Sequence, residues 1–221
     1  MTTQATTKTP FFSVVITTYN RLLLLQRALK SLWDQTEQDW EAIIIDDGST
    51  DPTEEFIRGI QPEHPRLHYY KQNSCGAVAA KNAGILAATG QYITFLDSDD
   101  EFHPRHLQLR KDMLLAAPET ELLHGGIKII GSNFVPDRFH YGQAIHLKDC
   151  AVGATFVIKK TLIQRLNLFR EIPLGSDADF LERAQANQAQ IRQTNLPSYI
   201  YHREHNNTIT RNLMGSAAMA L

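Results

Sequence analysis

Four short apolar runs, each ending in a polar turn and followed by a helical stretch, constrain this chain more than any other feature. "FFSVVIT" (11–17), "EAIIIDDGSTD" (41–51), "RLHYYK" (66–71) and "QYITFL" (91–96) each carry a core of Val, Ile, Leu, Phe or Tyr. The densest of them suit strands covered on both faces. Leu22, Leu25, Leu29, Leu32 and Trp33 then recur at helical spacing. Asp51 before Pro52 is a helix start, with proline at the first helical position. "GAVAAKNAGILAAT" is alanine-rich and stopped by Gly90, and Pro104 opens a further helix. To about residue 116 the order is therefore β-α-β-α-β-α-β-α. It predicts an α/β fold, a mostly parallel central sheet flanked by helices in three layers.

Beyond residue 116 the pattern is weaker. "ELLHGGIKII" and "GATFVIKK" read as strands, antiparallel in one arrangement. "SDADFLERAQANQAQ" reads as a helix capped by Ser176, and "SYIYHREHNNT" as a short strand entering a polar tail. With 221 residues and 43% hydrophobic content, the chain can bury one good-sized core. The expected organisation is a loose arm at 1–10 and a single domain at 11–221, divided near residue 116. A net charge of -2 gives no general attraction to nucleic acid or anionic membrane. No apolar run reaches the roughly 18 residues of a membrane span, and "MTTQATTKTP" has no apolar signal core. Cys75 and Cys150 lack metal spacing and read as free thiols in a reducing cytoplasm.

In a sheet of this kind ligands bind at the carboxyl ends of the strands. Three polar clusters fall there: "TYNR", "DDGS" and "DSDD". Asp97, Asp99, Asp100 and Glu101 place four carboxylates within five residues. On extended backbone Asp97 and Asp99 would face one side together, with Ser98 turned away. Two adjacent carboxylates repel unless protons or a cation relieve them. Mg²⁺ or Mn²⁺ does so with one or two carboxylates, leaving positions for phosphate oxygens. An acidic turn ahead of a helix would give the same residues. Neither G-x-G-x-x-G nor G-x-x-x-x-G-K-[ST] occurs, which removes the usual dinucleotide cradle and the P-loop. A haloacid dehalogenase-like D-x-D-x-[TV] is opposed by Glu101 at the fifth position.

"SVVITTYNR", "SLWDQTEQDWEAIIIDDGSTD" and "NSCGAVAAKNAGILAATGQYITFLDSDD" resemble the family 2 glycosyltransferases of the Rossmann-like GT-A fold. "GSDADFLERA" and "YHREHNNT" resemble that family's general-base and terminal R-x-H-x-x-[ST] segments more loosely. The resemblance implies transfer of a sugar, with inversion, from a nucleotide diphosphate sugar, the nucleotide being UDP by analogy. It implies that Thr18, Tyr19, Asn20 and Arg21 adjoin the nucleotide and that Asp47 accepts from its base. Lys81 stands where the family often has an arginine near the phosphates. Asp97 belongs to the ribose or metal, Asp99 is the main metal ligand, and Arg203 and His205 belong to the diphosphate and metal. Asp177 is the implied base, with Asp179 as second candidate because the family's Glu-Asp is Ser176-Asp177 here. Asp177 and Asp179 also suit a helix first turn. Glu101 is expected to face water or the acceptor. The implied partners are a nucleotide sugar and a glycan, lipid-linked or small-molecule acceptor. The implied location is the cytoplasm, including the inner membrane face. Two other readings stay open: a non-catalytic nucleotide-sugar binding module, and a metal-dependent nucleotidyltransferase. Trp33 and Trp40 both precede "DSDD", so the Q-x-x-R-W motif of processive synthases cannot follow it.

Overall fold

The computed structural model describes residues 9–137 and 143–204. Strands β1 (Phe12–Thr18) and β2 (Trp40–Asp46) pair in parallel along their whole length. Strand β3 (Leu67–Lys71) adds to β2, and β4 (Tyr92–Phe95) to the other side of β1, both parallel. Alternate β1 residues enter two separate cores. Val14 and Ile16 meet Leu25, Leu29 and Leu32 of α1 (Leu22–Trp33), Ile57 of α2 (Thr53–Ile60) and Leu107 of α4 (His106–Ala116). Val15 enters the opposite core with Ala80 and Ile85 of α3 (Ala77–Ala87), Leu162 of α5 (Lys160–Leu166) and Phe180 of α6 (Ser176–Ala186). Each such Val, Leu, Ile or Phe side chain contributes about 1.5–3 kcal/mol by leaving water. Two cores on one sheet explain why β1 is apolar without a polar alternation.

The second half completes the same sheet out of chain order. Strand β5 is Glu101–Phe102, β6 Leu122–Gly131, β9 Val157–Lys159 and β10 Ile191–Arg203. The order across the eight strands is β3-β2-β1-β4-β9-β6-β10-β5. Strand β9 is antiparallel to both β4 and β6, while β6 and β10 are parallel. Strands β7 (Phe134–Pro136) and β8 (Ala144–His146) form a separate antiparallel pair.

Several expected boundaries shift. Helix α2 starts at Thr53, one residue after Pro52, and the Asp51 carboxylate still accepts from the Thr53 N–H at 3.2 Å, as a capping residue does. Ser176 is the first residue of α6, not its cap; Gly175, at φ 83°, holds that position. Strand β10 is thirteen residues, far longer than the strand expected from "SYIYHREHNNT". Residues 1–8 lie outside the described residues. Pro10, expected to be loose, already accepts from the Gln91 N–H at 3.0 Å.

Candidate active site

The first loop, after β1, is tied to the second, after β2. Asn20 takes φ 50°, a value asparagine tolerates better than most residues. Its Oδ1 accepts from the Thr50 and Asp51 N–H groups at 2.7 and 3.2 Å, and its own N–H donates to Ser49 Oγ. Asn20 is thus a brace between loops. Thr18 is buried, and its hydroxyl has no hydrogen-bond partner among the described residues. Tyr19 is half exposed. Asp46 and Asp47 separate in role. Asp46 accepts from Ser49 N and the Tyr69 hydroxyl, inside the fold. Asp47 accepts from Gln72 Nε2, Ser74 Oγ and the Cys75 and Gly76 N–H groups, which fastens the segment leading into α3.

The four clustered carboxylates also divide. The chain turns at Ser98 and Asp99, so the expected extended geometry does not hold. Asp97 and Asp99 nevertheless line one cavity, with Ser98 beside them. Burial pushes the Asp97 carboxyl up to about 6; the charges of Asp99 and Asp177 add to the rise, and Lys81 opposes it. Asp99 pairs with Arg21 Nη1 at 2.9 Å. Asp100 is fully buried and accepts from the Tyr199 hydroxyl and the His202 N–H, both at 2.8 Å. Glu101 keeps 30% of its side chain exposed. It meets His202 Nε2 at 2.8 Å and Arg27 Nε at 3.4 Å.

Lys81, from α3, reaches the same place between the rings of Phe95 and Phe169, 5.0 and 5.1 Å from their centroids. Burial alone would lower its pKa; the Asp177 and Asp97 carboxylates outweigh that and hold it above its ordinary value. Its Nζ is 3.4 Å from Asp177 Oδ1. Asp177 Oδ2 accepts from the Gly153 N–H at 3.1 Å. Asp179 is engaged elsewhere, with Arg170 at 3.1 Å and Arg183 at 2.8 Å.

Arg21, Lys81, Asp97, Asp99 and Asp177 line a cavity of about 290 Å³. A second cavity of about 170 Å³ shares Thr17, Arg21, Ala77 and Ser98 with it and is also lined by Thr18, Tyr19 and Asp47. A third, of about 410 Å³, shares Leu174, Gly175, Asp177 and Tyr201, so Asp177 stands where two spaces meet. This is a cleft at the carboxyl ends of parallel strands, with carboxylates and cations at its centre.

The sequence model described as glycosyl transferase family 2 matches residues 13–189. The chain belongs to that family. A family relative from Campylobacter jejuni, GalNAc(5)-diNAcBac-PP-undecaprenol beta-1,3-glucosyltransferase, is 40% identical over 97 residues. That match covers 42% of this chain and 30% of the relative. Staphylococcus aureus TarS 1-349, solved with UDP-GlcNAc, superposes with a TM-score of 0.75 at 22% identity over 90% of this chain. The Pyrobaculum calidifontis mannosyltransferase PcManGT, solved with GDP-Man and Mn²⁺, gives 0.69 at 18% identity over 89% of this chain. The chain spans only 60% and 57% of those two structures. The fold is therefore GT-A, as the resemblance implied, on the mostly parallel α/β sheet that the strand pattern predicted.

A divalent cation, common in the GT-A fold, suits the residues present. Asp97 and Asp99 offer hard oxygen donors, and the charges of Asp99 and Asp177, which add to the effect of burial on the Asp97 carboxyl, are a repulsion that a cation would relieve. Among the described residues no group of three or more His, Cys, Asp or Glu side chains is gathered for a metal, so phosphate and water oxygens would complete the shell. His205 lies outside the described residues. Arg203 does not line the central cavity; its guanidinium donates to the Tyr201 hydroxyl and the Phe134 carbonyl. In the sequence His202 reads as a structural histidine behind a run of tyrosines. It lines the cavity, and its Nδ1 is buried without a hydrogen-bond partner among the described residues, Glu204 being 3.8 Å away. Its only signal in sequence was its position one residue before Arg203.

Proposed function

We propose that this protein transfers a sugar from a nucleotide diphosphate sugar to an acceptor hydroxyl in glycan or polysaccharide synthesis, with inversion and with Mn²⁺ or Mg²⁺. The convergence of Asp97, Asp99, Lys81 and Asp177 in one cavity carries this reading. Asp97 and Asp99 would hold the cation, which when bound supplies positive charge against the leaving diphosphate. Lys81 and Arg21 bind phosphate oxygens; Lys81 keeps its proton in this setting. Thr18, Tyr19 and Asp47 adjoin the nucleoside. Asp177 takes the proton of the acceptor hydroxyl while that oxygen bonds the anomeric carbon. The bond from that carbon to phosphate breaks, and its electron pair leaves on the diphosphate. One displacement of this kind inverts the centre without an enzyme-bound sugar.

Residues 11–221 work in this reading as one domain, since strands from both halves share a sheet. The first half receives the donor and the second the acceptor. A lipid-linked acceptor is supported by the substrate named for the Campylobacter relative. Among the described residues no helix is long and apolar enough to cross a membrane. A cytoplasmic site, reaching such an acceptor at the inner membrane face, fits that reading.

The test is a thermal-shift panel of UDP- and GDP-sugars with and without Mn²⁺, followed by assay of the products. A donor at 100 times its dissociation constant stabilises the fold by about 2.7 kcal/mol. Release of nucleoside diphosphate supports the proposal. Release of pyrophosphate points instead to nucleotidyl transfer, and binding without turnover to a binding module.

A further inference from the structure

Gly153 has no conformational need to be glycine. Its φ is outside the left-handed region, unlike Gly125 and Gly126 at φ 87° and 76°. Its need is for space. A Cβ placed on Gly153 would lie 2.2 Å from the Asp177 carboxyl carbon, and 2.3 and 2.5 Å from its oxygens. The three nearest atoms all belong to that one carboxylate. The Gly153 N–H also donates to Asp177 Oδ2 at 3.1 Å, while Lys81 Nζ stands 3.4 Å from Oδ1. Each oxygen therefore has its own partner, and the carboxylate lies against bare backbone.

That backbone is firmly held. Gly153 is buried in a short turn, Gly153–Thr155. The Thr155 hydroxyl donates to the Val152 carbonyl at 2.7 Å and accepts from the Gly125 N–H of β6 at 2.9 Å. Strand β9, between β4 and β6, follows two residues after the turn. The turn is thus pinned to the sheet, and a group resting on it inherits the sheet's rigidity.

We propose that Gly153 is a positioning residue for the Asp177 carboxylate. Its missing side chain makes the seat and its N–H fixes one oxygen, so that the base is aimed before an acceptor arrives. The proposal rests on Asp177 being the base. It identifies the turn after Val152, rather than α6 alone, as the element that sets the direction of proton removal.

The experiment compares wild type, Gly153→Ala, Asp177→Ala and the double variant. It measures thermal unfolding, affinity for UDP-GlcNAc and GDP-mannose with Mn²⁺, and release of nucleoside diphosphate from both donors. An alanine methyl displaces the end of one side chain, so Gly153→Ala folds with a lowered Tm. Donor affinity stays within about twofold. The kcat falls by up to about 10²-fold, the cost of roughly 1 Å of misplacement at a reacting group. In the Asp177→Ala background the same Gly153→Ala change costs no Tm and no further rate. Three results overturn the proposal: full kcat in Gly153→Ala, loss of donor affinity along with rate, or Tm losses that add in the double variant. Should wild type release nucleoside diphosphate from neither donor, the transferase reading fails for those donors, and the Tm coupling alone decides the placement of Asp177.

Discussion

In β1 and β2 every residue except Thr17 is buried, and pairing runs unbroken from Phe12–Trp40 to Thr18–Asp46. In β6 and β10 many residues are partly open, and the pairing slips between Thr194 and Tyr199. The first region is a regular platform that offers side chains at its strand ends. The second is broken by a register shift; its strand β10 supplies Tyr201 and His202 to the cleft, and the segment between its strands supplies Asp177. A regular parallel sheet repeats one geometry, which suits the receipt of a donor. Irregular backbone can aim single groups, at some cost in stability.

The largest effect expected lies on the platform side. Asp99→Asn, or excess EDTA, removes several kcal/mol of charge stabilisation and lowers transfer by about 10³-fold. Circular dichroism should show an intact fold, because Asp99 is a cleft residue at a turn. Full activity in EDTA would break the assignment of the cation to the platform.

Next in size is the irregular side. Asp177→Asn should lower kcat by at least about 10²-fold while donor affinity holds. Asp179→Asn should leave kcat near wild type and cost about 1 kcal/mol of stability, since its partners are Arg170 and Arg183. The opposite pattern in steady-state kinetics would move the base two residues along α6.

Asp47→Ala should weaken donor binding by about 1.5–3 kcal/mol in titration calorimetry, the usual worth of a hydrogen bond to a charged group. It should also destabilise the loop, because the Cys75 and Gly76 N–H groups lose their acceptor. Unchanged donor affinity would restrict Asp47 to shaping the platform.

The smallest effect concerns the link between the regions. Tyr199 donates to Asp100 and accepts from the Asp97 N–H. Tyr199→Phe should cost about 1–2 kcal/mol in denaturant unfolding, because a buried carboxylate loses a donor. A loss near zero would mean that strand pairing alone joins the halves there.

Legibility in sequence followed the same division. The strands of the platform were readable because each is a dense apolar run with a polar turn behind it. Asp97 and Asp99 were readable as a pair, although the turn at Ser98 differs from the extended segment that suggested it. Asp100 and Glu101 looked like more of the same charge. Their separate uses depend on Tyr199, His202 and Arg27, which are far off in sequence. Ser176 carried a cap signal, yet Gly175 holds the cap because the chain enters α6 through a left-handed residue. The full length of β10 was hidden because "IRQTNLPS" is polar and contains Pro197; its partner β6 supplies the pairing.

Taken alone, the sequence determined an α/β sheet with three polar loops at the carboxyl ends of its strands. Local physics suffices there: apolar runs bury, helix starts and stops are marked, and consecutive βαβ units have one favoured handedness. Tertiary structure alone decided which carboxylate does what. The sheet order sends β9 and β10 back beside β4 and β5. Only then do Asp100 and Glu101 find buried partners, Lys81 meets Asp177 across 96 residues, and Gly153 comes under its carboxylate. The reason is range. A carboxylate's role depends on the charges, donors and empty space within a few ångströms, and that neighbourhood is assembled from segments that share no local pattern.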